Sequence, residues 1–227
     1  MAQLAQDMAV QPQIIEQHEA FGRMYDAGLA AAQMRENTWR RPRFFHMTQM
    51  LGLTRGLPGA TAELGAYRGL ASYLICRCLR DDDGSFDGTG HHIMDSFQGL
   101  PQPDDIDGAD ARAGVFGDTS VEHVRETLRA FPGVNIIEGW IPEALAFLPE
   151  QTYRFVHIDV DLHEPTLACL EYFHARMVPG GVIVVDDYGP WPTGEWPGCR
   201  RAVEAFCARR DVPFAAMDTG NVVIVKR

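Results

Sequence analysis

Val182-Ile183-Val184-Val185-Asp186-Asp187 decides the fold: four β-branched residues, launched by Pro179-Gly180-Gly181, run straight into two carboxylates and then Tyr188-Gly189. A run that is apolar at every position reads as a strand buried on both faces, as in a parallel sheet covered by helices. Ligands of such sheets bind beyond the carboxyl ends of the strands. Two more runs end the same way, Val156-His157-Ile158-Asp159-Val160-Asp161 and His92-Ile93-Met94-Asp95. Several acids at one sheet edge repel one another, and the simplest relief is a divalent cation. A lone Asp-Asp would read as a polar strand end. Asp159 closing a second apolar run turns the reading toward a metal.

Outward from that strand, strand and helix patterns alternate. Ala60 to Leu64, His91 to Met94, Val134 to Glu138 and Phe155 to Val160 have strand character. Helical spacing marks Ser72 to Leu79, Val121 to Ala130, Pro142 to Phe147, Pro165 to Met177 and Cys199 to Arg210. This alternation specifies a parallel-rich α/β sandwich. Val212-Pro213-Phe214 and Val222 to Val225 lie close together with no helix between them, which predicts an antiparallel hairpin at one edge. Upstream, residues 1–57 read as a helical extension or cap, with Pro42 dividing two helical segments, and residues 58–227 as the main domain. The Pro/Gly/Asp-rich connection over residues 99–120 is long enough to be a functional cover.

The 227 residues are 46% hydrophobic and 22% charged, a globular composition with a full core. A formal net charge of −11 argues against nucleic acid or an anionic membrane surface as partner, although Arg40-Arg41-Pro42-Arg43 is a small basic patch. No apolar run is long enough to span a bilayer, and the N-terminus lacks the pattern of an export signal. Five scattered cysteines, Cys76 and Cys78 in C-x-C spacing among them, read as reduced core thiols, so the expected compartment is the cytoplasm.

At the first strand-to-helix junction stands Glu63-x-Gly65-x-x-x-Gly69. Glycine there lets a ligand approach the backbone, and the helix N-terminus offers free N–H groups. The acid precedes the first glycine, so this is not the dinucleotide pattern, and it suits a ligand carrying a cationic group. Asp95, ending the next strand, stands where an acid commonly accepts from both ribose hydroxyls. Together they suggest a nucleoside whose other end is positive, a description that S-adenosylmethionine meets. His163 follows Asp161 in the loop toward the presumed site. Trp191 and Trp196 flank a Pro/Gly-rich loop that is expected to cover a substrate.

Four blocks now resemble one known family. Glu63-Leu64-Gly65-Ala66-Tyr67-Arg68-Gly69, Met94-Asp95-Ser96-Phe97-Gln98-Gly99-Leu100-Pro101, Ile158-Asp159-Val160-Asp161-Leu162-His163-Glu164-Pro165-Thr166 and Gly180 to Gly189, with Gly198 to Val203 after them, are similar to the macrocin O-methyltransferases. The resemblance runs from about residue 56 to 207. It implies a class I methyltransferase (Rossmann-like) fold: a mostly parallel seven-stranded sheet, helices on both faces and a C-terminal antiparallel hairpin. It also implies S-adenosylmethionine- and divalent-metal-dependent methylation of a hydroxyl on a sugar or other natural-product small molecule, with Mg²⁺ the expected metal. Asp159, Asp186 and Asp187 take the places of metal ligands. Glu63, Gly65, Arg68, Gly69, Asp95 and Ser96 take those of cofactor contacts, and Gly139-Trp140 that of the adenine neighbour.

The chain departs from its relatives at His163, where the family usually has Tyr, and at Leu162, where catechol-type enzymes place a lysine base. Asp159, Asp161 and His163 are therefore the expected catalytic group, with the proton going to His163 or Asp161. A homodimer through the N-terminal helices is the expected assembly. The competing reading is a non-catalytic S-adenosylmethionine-binding accessory or sensor domain.

Overall fold

A computed structural model describes residues 12–37, 39–189 and 196–227. Two helices lead, α1 (Pro12–Ala31) and α2 (Arg40–Leu53). They are followed by β1 (Ala60–Leu64), α3 (Leu70–Asp82), β2 (His91–Asp95), α4 (Val121–Thr127), β3 (Asn135–Glu138) and β4 (Tyr153–Ile158). The chain closes with α5 (His163–His174), β5 (Met177–Val185), α6 (Pro197–Arg210), β6 (Ala215–Ala216) and β7 (Val222–Val225). Short 3-10 turns sit at Asp105–Asp107 and Glu143–Phe147.

The sheet has seven strands in the order β3-β2-β1-β4-β5-β7-β6. Strands β1 to β5 pair in parallel, and β7 runs antiparallel to both β5 and β6. This is the mostly parallel sheet with a closing antiparallel pair that the alternation predicts. The parallel strands end level, because Leu64 pairs with Met94 and with Ile158, and Ile158 pairs with Val185. The ladder continues one residue further: the amides of Gly65, Asp159 and Asp186 donate to the carbonyls of Met94, Leu64 and Ile158, each at 2.8 Å. Residues that follow three separate apolar runs are thereby brought side by side.

The two faces of the sheet carry different cores, sorted by strand alternation. Ala62, Leu64, Val156, Ile158, Ile183 and Val185 pack with α5 and α6. Phe155, Val182 and Val184 pack with α3 and with Phe21, Tyr25, Leu29, Phe44, Met47 and Leu51 of α1 and α2. The N-terminal helices thus share a continuous core with the sheet.

Several expected boundaries move. The break between the N-terminal helices lies between Ala31 and Arg40, not at Pro42, which occupies the first turn of α2. A proline costs no hydrogen bond there, since first-turn amides have no intrahelical acceptor. Strand β5 begins at Met177, and Pro179-Gly180-Gly181 bulges within it: Tyr153 pairs with Met177 but Phe155 with Val182. The last hairpin uses Ala215–Ala216 in place of the run around Pro213, which has no N–H to donate. Helix α4 stops at Thr127, and the segment near Pro142 is a 3-10 turn instead of a helix.

Candidate active site

A cleft of about 290 Å³ opens at the carboxyl ends of β1, β2, β4 and β5. One half suits a nucleoside. Gly65 adopts φ +82°, and a Cβ added to it would sit 1.8 Å from the carbonyl oxygen of Asp159. Only glycine lets the β1 turn pass this close to β4. Asp95 accepts from the amides of Ala66 and Tyr67 at 2.8 Å through one carboxylate oxygen and from Phe97 at 2.7 Å through the other. Burial raises its pKa above the usual carboxylate range, and the backbone amides oppose that rise only in part. Ser96, Gly139 and Trp140 also line this half.

Glu63 lines the cleft too, although its carboxylate is nearly sealed, accepting from Ser72 Oγ and lying 3.5 Å from His157 Nδ1. Arg68 and Gly69 stand elsewhere. Arg68 holds Asp118 at 2.7 Å and donates to the Gln33 carbonyl at 3.0 Å, tying the cover segment to the end of α1. Gly69 caps α3 with φ +81° and faces Val124.

The other half is acidic. Asp159, Asp161 and Asp187 line it, each offering a carboxylate oxygen within 4.8 Å of the others. Burial, then the neighbouring carboxylates, raise Asp159 and Asp161 well above the usual range. Asp161 holds a left-handed backbone, φ +60°, uncommon for a non-glycine residue.

Asp186 is differently placed. It is fully buried and absent from the cleft wall, with Arg43 Nη2 2.7 Å from Oδ2 and Asn221 donating to Oδ1. Although burial opposes its ionisation, Arg43 and His157 hold Asp186 below the usual carboxylate range. His157 stands between two carboxylates, its Nε2 3.9 Å from Asp186 and its Nδ1 3.5 Å from Glu63. Burial would depress the imidazole, yet those two acids push it up to about 9. Arg43 also lies 3.3 Å from Asp187 Oδ1. Burial opposes its charge, and the four aspartates around it raise its pKa despite that.

Profile comparison matches residues 25–225 to the family described as macrocin-O-methyltransferase (TylF). The chain belongs to the macrocin-O-methyltransferase family. It is 28% identical over 187 residues to the 8-demethyl-8-(2,3-dimethoxy-alpha-L-rhamnosyl)-tetracenomycin-C 4'-O-methyltransferase of Streptomyces olivaceus, covering 75% of this chain and 67% of that one. With the demethyldecarbamoylnovobiocin O-methyltransferase of Streptomyces niveus it shares 31% over 166 residues, 69% of this chain and 61% of the relative. The chain therefore spans roughly two thirds or less of these curated relatives. The solved structure of the O-methyltransferase NovP superposes with a TM-score of 0.68 at 27% identity, covering 81% of this chain and 79% of that one. The calicheamicin methyltransferase CalS11, at 18% identity and TM-score 0.71 over 96% and 94% of the two chains, shares the fold.

Of the residues expected in this family site, Glu63, Gly65, Asp95, Ser96, Gly139, Trp140, Asp159, Asp161 and Asp187 line one cleft. His163 does not: it begins α5, and its amide donates to Asp107 Oδ1 at 2.7 Å. Trp196 lines the cleft, its ring 6.5 Å from Phe116, while Trp191 and residues 192–195 lie outside the described residues. Phe116, Gly99, Leu100 and Pro101 of the long connection join the wall as well. The residue that sequence reasoning missed is Arg43. Its signal was the Arg40-Arg41-Pro42-Arg43 patch in a strongly acidic chain, whose acid cluster needs a counter-charge.

Proposed function

We propose that this chain transfers the methyl group of S-adenosylmethionine to a hydroxyl, with the help of a divalent cation, and that the acceptor is a sugar hydroxyl flanked by a second oxygen. The observation carrying this reading is one cleft with a nucleoside-shaped half, Gly65, Asp95 and Gly139, next to a half walled by three carboxylates. The relatives' names support the acceptor class: one methylates a rhamnosyl-bearing tetracenomycin at its 4'-oxygen, another a novobiocin precursor.

The donor set fits a hard cation. Glu63, Asp159, Asp161, Asp186 and Asp187 stand against one guanidinium, Arg43, and one imidazole, His157, so negative charge remains in excess. All-oxygen ligation favours Mg²⁺ or Mn²⁺ over zinc. Asp159 and Asp187, which face the cleft, would hold it together with a third carboxylate. A bound cation would lower the pKa of an acceptor hydroxyl and help fix its direction.

The chain's own residues do the rest. Gly65 lets the donor lie close against the backbone, and Asp95 offers carboxylate oxygens toward the ribose. Trp196, Phe116 and Leu100 wall the acceptor side and restrict water. In the transfer, an oxygen–methyl bond forms as the sulfur–methyl bond breaks, S-adenosylhomocysteine leaves, and the hydroxyl proton passes to the acidic cluster. Orientation of nucleophile, carbon and sulfur is the main catalytic device.

The test uses S-adenosylmethionine carrying a tritiated methyl group and a panel of deoxysugar glycosides, with Mg²⁺ or with excess EDTA. Label appearing in an acceptor with Mg²⁺ and lost in EDTA is the expected result. Full transfer in EDTA would remove the cation from the mechanism. Cofactor binding without transfer to any acceptor would favour an accessory or sensor domain.

A further inference from the structure

Resting on the cofactor reading above, we infer that Asp118 is a positioning residue. Together with Thr119 it grips Tyr67 at both ends, and so ties the connection over residues 99–120 and the acceptor wall to Asp95 in the nucleoside half of the cleft.

The backbone of Tyr67 carries the first step. Tyr67 lines the cleft in a left-handed conformation, φ +48°, which is uncommon for a non-glycine residue. Such a conformation persists only where its surroundings impose it. Three contacts do so here. The Tyr67 amide donates to Asp95 Oδ2 at 2.8 Å, Thr119 Oγ1 donates to the Tyr67 carbonyl, and the Tyr67 hydroxyl donates to Asp118 Oδ1 at 2.8 Å. The peptide that orients Asp95 is therefore held in place from the far side by residues 118 and 119.

The acceptor wall hangs on the same tyrosine. Phe116, itself at φ +65°, sets its ring edge-on to that of Tyr67 at 5.6 Å, and on its other side meets Trp196. Arg68 completes the grip: its Nη2 reaches Asp118 Oδ2 at 2.7 Å and its Nε donates to the Asp118 carbonyl at 3.1 Å. The Asp118 side chain is 64% exposed, so its charge pair with Arg68 contributes little stability by itself. Its consequence lies in place, because releasing this one carboxylate frees Tyr67 and Phe116 together. Burial, then Asp118, raise the pKa of the Tyr67 hydroxyl, which keeps it a donor and leaves the reaction's proton to other groups.

Calorimetric titration of the whole chain with S-adenosylhomocysteine tests the assignment. Asp118→Ala and Tyr67→Phe are each expected to weaken binding about three- to tenfold, the range of one lost hydrogen bond. Because the two residues act through one contact, the double variant should bind within about twofold of the weaker single one. Asp118→Asn keeps an acceptor for the Tyr67 hydroxyl and should stand closer to the unaltered chain than Asp118→Ala. Glu171→Ala removes a carboxylate paired with Arg209 and Arg210 away from the cleft, and should leave affinity within about twofold whatever it does to the melting temperature. Trypsin reads the other half of the grip: cleavage after exposed Arg112 should quicken in Asp118→Ala and not in Glu171→Ala. Unaltered affinity in Asp118→Ala, multiplied losses in the double variant, or unchanged cleavage at Arg112 would overturn the positioning role while leaving the cofactor reading intact. Failure of the unaltered chain to bind S-adenosylhomocysteine would overturn the cofactor reading, and the role of Asp118 with it.

Discussion

Gly65→Ala compared with Gly69→Ala gives a sharp test, because the two glycines share a left-handed φ and differ in what stands beside them. Both have left-handed φ, +82° and +81°. Forcing alanine into that region costs about 1–2 kcal/mol. At Gly69 the new Cβ meets a side-chain methyl of Val124 at 3.2 Å, which can yield by a few tenths of an ångström. At Gly65 it would lie 1.8 Å from the Asp159 carbonyl oxygen, which belongs to the backbone, so β1 and β4 must part by roughly 1.2 Å to restore even a 3.0 Å contact. Overpacking of this kind typically adds about 1–3 kcal/mol.

Gly69→Ala should therefore cost about 1–2 kcal/mol and Gly65→Ala about 2–5 kcal/mol, out of a total stability on the order of 5–15 kcal/mol. For a domain of this size each kcal/mol lowers Tm by about 2–4 °C. Calorimetric melting should show a drop of about 2–8 °C for Gly69→Ala and a larger one, about 4–20 °C, for Gly65→Ala. Only the second variant displaces the Asp159 peptide, so only it should also lose S-adenosylhomocysteine affinity. Equal melting temperatures for the two variants, or a larger loss of affinity in Gly69→Ala, would refute the reasoning.

Asp95→Asn keeps the shape but presents an NH₂ group to backbone donors that now meet carboxylate oxygens, at 2.7 to 2.8 Å. S-adenosylhomocysteine affinity should fall by at least about tenfold, with a stability loss of about 1–3 kcal/mol, read by calorimetry and denaturant titration. His91 is sealed in the core, and burial, with His92 adding to it, pushes its pKa down to about 3. Its folded pKa lies below the unfolded value near 6.5, so the stability it contributes is present above pH 6.5 and lost as pH falls toward 3. Between pH 7 and pH 5 the loss is about 2 kcal/mol, which His91→Asn should remove from the difference between the two pH values in paired denaturant titrations. Cys76, Cys169 and Cys199 are buried with their thiols pushed up in pKa, chiefly by burial, so a thiol-specific chromogenic reagent should leave them unmodified until the protein unfolds.

The sheet was legible because its information is local. Runs such as Val182 to Val185 declare burial on both faces, and the short Val212 to Val225 connection declares an antiparallel pair. The position of the site was legible for the same reason, since ligands gather where such runs end. Side-chain direction past a strand end was harder to see. The counter-charge of the acidic pair, Arg43, which contacts both Asp186 and Asp187, lies 144 residues from Asp187 in the chain. The orientation of Asp161 depends on one left-handed residue, which no spacing rule announces. Arg68 sits inside the most recognisable motif, yet it is drawn to Asp118, a contact decided by how the long connection folds back. His163 reads as part of the acidic loop, whereas the helix beginning there turns its backbone toward Asp107.

The cleft between Gly65, Asp95 and Gly139 is the proposed cofactor site. Titrating the whole chain with S-adenosylhomocysteine in a calorimeter tests this most directly. A single saturable site, with affinity lost in Asp95→Asn, is the predicted result. An absence of saturable binding, or binding untouched by Asp95→Asn, would contradict it.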